Sequence, residues 1–81
     1  MKDLNEIKDI MMKDYLDNLH ESKDWADKWL ASQDEVENRL MKRHFNDALC
    51  IIRAMKHCGF ISEMEWADML DKAYNYVYVE D

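Results

Sequence analysis

Apolar residues recur at three- and four-residue steps through the first twenty positions: Leu4, Ile7, Met11, Tyr15 and Leu19, with Ile10, Met12 and Leu16 widening the stripe. That period faces one side of an α-helix, so it predicts an amphipathic helix over residues 2–20. A second pattern, Trp25, Ala26, Trp29 and Leu30, follows Ser22. Ser22 either caps a new short helix over 23–31 or sits inside a continuous one, and a break near 21–23 is the expectation adopted. Ser32, Gln33, Asp34 and Glu35 read as a capping box, in which the hydroxyl takes the N3 amide and Glu35 reaches back. A helix over 33–58 follows, with Val36, Leu40, Met41, Phe45, Ala48, Leu49, Ile52 and Met55 in period. The run Ala48–Ile52 is apolar nearly all round, so this helix is expected to be central and the most buried.

Gly59 supplies the left-handed residue that ends helices, and Ser62 with Glu65 forms a second capping box. Ile61 and Trp66 are placed as a hydrophobic staple around that start. The last helix, 62–77, carries Trp66, Leu70, Ala73 and Val77 on one side. Residues Tyr74 to Val79 alternate as a strand does, so this end either continues the helix or peels away as an extended C-terminal tail. The expected fold is all-α: one domain over 1–81, a compact bundle of three to four helices.

Composition agrees with this pattern. The chain has no proline and one glycine in 81 residues, so it lacks the turn chemistry of an all-β fold. Its 48% hydrophobic content is enough for the single core that a chain of this length can build, and it argues against disorder. No apolar run approaches the ~20 residues of a membrane span, and Met1 to Glu6 lack a signal peptide's apolar region, so a cytoplasmic protein is expected. Cys50 and Cys58 fall in one predicted helix, about 12 Å apart by rise per residue, which excludes a bridge between them; both are expected to be reduced, buried thiols.

Charge is unevenly distributed. Residues 1–38 hold eleven acids and five lysines, residues 39–58 five bases and one acid, and residues 59–81 six acids and one lysine, for a net −7. The economical explanation is internal, with acidic outer helices pairing with a basic central one at the margins of the core.

Two stretches resemble known motifs and depart from them in chemistry. Gly59, Ile61, Glu65 and Trp66 resemble the second half of an EF-hand loop, but its leading ligand positions would be Ala54, Lys56 and Cys58, none a carboxylate. Ile52 through Leu70 resembles a helix-turn-helix, yet its second helix would present Glu63, Glu65, Asp68 and Asp71 to phosphates, so direct DNA binding is not expected. The bases Arg39, Lys42, Arg43, Arg53 and Lys56 lie dispersed on the predicted core helix. Asp17-x-x-His20 is the only carboxylate-x-x-His pair, and His44, Asp47 and Cys50, with His57 and Cys58 further on, do not converge within one straight helix. No catalytic centre, metal site or cofactor is expected.

Surfaces remain. Asp14, Asp17, Glu21 and Asp24 fall at three- or four-residue spacing, so a helix continuing through 21 would carry them as one negative edge about 15 Å long, with Asp27 near its end. That edge is either a solvated face or an electrostatic contact that imitates a phosphate backbone in a partner's basic groove. Trp25 and Trp29 share a helical edge, and Tyr74, Tyr76 and Tyr78 lie near the terminus; these rings are either core or interface anchors. The function expected is a protein-binding module, an inhibitor or adaptor covering part of a larger protein that has a basic nucleic-acid-binding surface. The analogy is with small acidic helical products of phages and mobile elements that act against host defence, anti-CRISPR-type inhibitors among them. The alternative is a structural module that forms a homodimer or higher homo-oligomer over its aromatic rings.

Overall fold

A computed structural model of the chain describes residues 3–78. Three helices account for nearly all of them: α1 (Leu4–Ser32), α2 (Glu35–His57) and α3 (Glu63–Val77). The fold is all-α, as the periodicity predicts. No helix among the described residues is long and apolar enough to cross a membrane.

The predicted break near 21–23 does not occur, and helices expected over 2–20 and 23–31 are one α1 of 29 residues. Ser22 is not a cap. It is fully buried in the seam between α1 and α2, where its hydroxyl donates to the Met41 carbonyl at 2.8 Å. Helix starts there at Leu4 instead, with Asp3 as N-cap accepting from the Glu6 amide at 2.8 Å. With neither glycine nor proline in the stretch, nothing interrupts the backbone ladder, and Ala26 one turn on is buried too.

The second start also shifts. Ser32 is the last residue of α1, Gln33 takes a left-handed conformation (φ 59°, ψ 25°), and Asp34 caps α2 by accepting from the Val36 amide at 3.0 Å. Ser32 braces this turn instead, accepting from the Asp34 amide at 3.1 Å and donating to Glu37 Oε2 at 3.0 Å. A non-glycine residue in that region costs about 1–2 kcal/mol, offset here by the two caps that the tight turn allows.

The third start is as expected. Gly59 has φ 81°; the Phe60 amide bonds to the Met55 carbonyl at 2.9 Å and the Gly59 amide to Lys56 at 3.1 Å, the paired bonds of a Schellman ending. Ser62 and Glu65 then form a complete capping box, at 3.0 and 3.1 Å. Here Tyr74 to Val77 stay helical and Tyr78 is the C-cap, so the extended tail is absent up to that residue; Val79 lies outside the described residues.

α1 and α2 form an antiparallel hairpin, registered by Ser22 on Met41 and by Asn18 Oδ1 against His44 Nδ1 at 3.3 Å. α3 runs alongside α1 and antiparallel to α2: Tyr15 donates its hydroxyl to the Met69 carbonyl at 3.2 Å, and the Phe45 ring meets Tyr74 edge-on at 4.9 Å. Burial pushes the Tyr15 phenol above its ordinary pKa. α2 supplies most of the core, with Met41, Phe45, Ala48, Ile52 and Met55 buried. It meets Tyr15, Leu19 and Ala26 of α1 and Ala73 and Val77 of α3. Leu4, Ile7, Ile10 and Leu16 of the α1 stripe remain exposed, because α2 and α3 do not reach round to them. Cys50 and Cys58 are free and exposed, a correction to the buried-thiol expectation: Cys50 lies on the solvent side of α2 and Cys58 is its C-cap at the turn.

Ser22→Ala should cost about 1 kcal/mol, one buried hydrogen bond, while Ser22→Leu should cost more, by about 1–3 kcal/mol of overpacking. Thermal melts that rank leucine at or above alanine would place residue 22 outside the seam. Glu65 is held below its ordinary carboxylate pKa of 4.5, first by the Ser62 amide and then by its hydroxyl. A depressed folded value means that this stabilisation is full above 4.5 and is lost as pH falls through the folded value. Wild type should therefore melt above Glu65→Gln at neutral pH and converge with it in acid; a gap that stays constant with pH contradicts the carboxylate's role.

Candidate functional site

Because α1 is continuous, Asp14, Asp17, Glu21 and Asp24 lie on one side of it, at three- and four-residue steps, and all four are exposed. Core residues Tyr15, Leu19, Ser22 and Ala26 define the opposite side. The result is a ridge about 15 Å long with four carboxylates. Among the described residues the ion pairs are Lys23–Asp27 at 3.2 Å and Lys72–Asp68 at 2.9 Å, each within a single helix. The ridge acids thus have no cation within ion-pair distance. Lys28, one turn beyond Asp24, sits over the Trp25 ring at 4.3 Å instead. Asp27 belongs to the ridge by position, but its charge is met by Lys23.

The expected neutralisation of α1 by α2 is not found. Arg39, Lys42, Arg43 and Arg53 are exposed on α2 and bridge to no acid, and Lys56 lies over the Trp66 ring at 4.0 Å. The bases point outward because the inward face of α2 is its apolar one.

The aromatic residues do not form one patch. Trp25 is half-buried and packs against the core. Trp29, also half-buried, lines a notch at the α1–α2 end of the bundle together with Tyr78, Leu30 and Lys42. Tyr74 and Tyr78 stack at 5.9 Å and both present edges to Phe45, Tyr78 at 5.1 Å. Desolvation, and then the neighbouring Tyr74, raises the Tyr78 phenol above its ordinary pKa. Tyr76 faces the other way, 5.9 Å from the His20 ring, on the side of α3 nearest α1.

That side holds an apolar groove of about 420 Å³ between α1 and α3 whose walls include Met12, Leu16, Met69 and Tyr76. Sequence reasoning missed it as a site. Its signal was the extra width of the α1 stripe at Met12 and Leu16, read as additional core. His20 borders this groove and His44 is engaged with Asn18, so neither joins Asp17 or Asp47 in a chelate. Among the described residues no three His, Cys, Asp or Glu side chains are grouped to hold a metal ion.

Comparison with known proteins finds no family model, curated protein or solved structure that matches the chain. The ridge and the groove beside it are therefore judged on their own physics.

Like charges one turn apart destabilise a helix by roughly 0.2–0.5 kcal/mol per pair, and the ridge contains three such steps. Asp17→Asn with Glu21→Gln should accordingly raise the melting temperature of the isolated protein, more at low salt than at high. A fall, or a rise indifferent to salt, would show that these carboxylates are compensated in solution.

Proposed function

We propose that the protein is a binding module that covers a basic surface of a larger protein, with the α1 ridge as its electrostatic contact. The observation that carries this reading is the unbroken helix through 21–23, which aligns Asp14, Asp17, Glu21 and Asp24 with no cation within ion-pair distance among the described residues. Four charges over 15 Å give one per about 5 Å of axis, against one per ~3.4 Å along a DNA strand. A ridge of that density suits a surface built for phosphates, and occupying it would exclude nucleic acid, which makes the protein an inhibitor or an adaptor with no chemistry of its own. Complementary charge chiefly raises the association rate and sets orientation, so binding on this reading is strongly salt-dependent.

A second reading, a homo-oligomeric structural module, is supported by the exposed apolar side chains at the start of α1, Leu4 being 71% exposed. Light scattering over a range of concentrations separates the two, since a strict monomer disposes of the oligomer. For the first reading, a partner captured from the native cell should be retained at low salt and released at high salt. It should be lost with Asp14→Lys, Asp17→Lys and Glu21→Lys together, and kept when Glu63, Asp68 and Asp71 of α3 are reversed instead. Capture that ignores reversal on α1 removes the ridge from the contact.

A further inference from the structure

The α1–α3 groove opens beside the core side of α1 and meets the ridge at His20. Its floor is the buried Leu19 and Ala73, and its walls are Met12 and Leu16 on one side and Met69 and Tyr76 on the other. Asp17 and Asp24 sit one turn to either side of His20, the residue at the groove's α1 edge. We propose that this groove seats an amphipathic α-helix of the partner protein, with apolar side chains in the groove and Lys or Arg side chains against Asp17 and Asp24. The proposal rests on the ridge reading and adds the shape of the occupant to it.

Three observations select that occupant. The groove is lined mainly by apolar side chains: the Tyr15 hydroxyl donates to the Met69 carbonyl and Lys72 at the rim is held by Asp68, which leaves His20 and Tyr76 at the edges as its polar side chains without a hydrogen bond among the described residues. What enters is therefore mostly apolar. An extended segment would bring unpaired backbone amides and carbonyls against apolar walls, whereas a helix satisfies its own backbone. The dimensions agree, because Met12 to His20 spans about 12 Å, the reach of a helical i, i+4, i+7 row. Two methionine walls adapt to side chains of varied shape.

Charge excludes a second copy of this chain as that occupant. The one basic helix among the described residues, α2, has its apolar face committed to its own core through Met41, Phe45, Ala48, Ile52 and Met55. α1, with seven acids and four lysines, and α3, with four acids and one lysine, would repel the ridge.

The test uses the full chain and a synthetic helix-favouring peptide with Leu at i, i+4 and i+7 and Lys or Arg on its flanks. Saturable shifts of the Met12 and Met69 methyl resonances are expected, with a twin peptide carrying Glu in place of the bases binding at least about tenfold more weakly. Leu16→Ser with Tyr76→Ser, both exposed enough for the fold to survive, should weaken the basic peptide about tenfold or more at unchanged helicity. Asp17→Lys with Asp24→Lys should weaken it too, by a factor that shrinks as salt rises. Unchanged affinity in the Leu16 and Tyr76 variant overturns the groove and leaves the ridge reading standing. Equal affinity for the Glu peptide overturns both. Methyl shifts that depend on protein concentration without peptide mean that a second copy fills the groove, and overturn the proposal as well.

Discussion

The seam between α1 and α2 governs the rest of the molecule. Ser22 and Ala26 on one helix and Ala48 on the other are all buried, and their small side chains let two long helices lie close while Tyr15, Leu19, Phe45 and Ile52 fill the space on either side. A hydroxyl in such a place would cost about 1–3 kcal/mol if left unpaired, and its bond to the Met41 carbonyl removes that cost. The same contact holds α1 straight through residue 22. A helix break there would draw Ala26 out of the core and release backbone groups in a region closed to water. Continuity of α1 in turn fixes the direction of every side chain on its far side, and the acidic ridge is a consequence of the seam.

Charge plays little part in holding the helices together. An exposed ion pair contributes at most about 1 kcal/mol, whereas each fully buried aliphatic side chain contributes roughly 1.5–3 kcal/mol. With Ile52 and Met55 wholly buried on α2, apolar contact is sufficient, and the bases of that helix are left facing solvent. Acidic and basic blocks consequently occupy separate faces instead of cancelling. A row of like charges on one helix opposes its own stability, so the ridge is not explained by folding; attraction to a partner offers an explanation.

Local chemistry was legible wherever a few neighbouring residues decide the outcome. Gly59, Ser62 and Glu65 specify a turn and a helix start without reference to the rest of the chain, and the structure has both as read. Ser22 was not legible, because serine is at once a favoured cap and a residue small enough for a helix seam; the deciding carbonyl belongs to Met41, nineteen residues away. Ser32 lost the cap to Asp34 because Gln33 adopts a left-handed conformation more usual for glycine or asparagine. Spacing that alternates like a strand from Tyr74 onward also places Tyr74 four residues from Tyr78 and Ala73 four from Val77. Packing against Phe45 selects the helix as far as Val77. The sign of each charge block could be read directly, but its direction depends on which face of each helix is buried.

The groove lies where α1 and α3 run side by side, Tyr15 meeting Met69 and His20 meeting Tyr76. Where they meet, the small Ala73 faces α1 and leaves the floor low, so that Leu16 is still 45% exposed beside it. A single exposed apolar side chain such as Met64 is ordinary on a small protein and carries no message. Leu16 differs because its neighbours continue the apolar surface into a concavity and because unpaired carboxylates begin one turn away. Apolar depth beside uncompensated negative charge is the complement of a basic amphipathic helix, and neither feature is needed for the core to close.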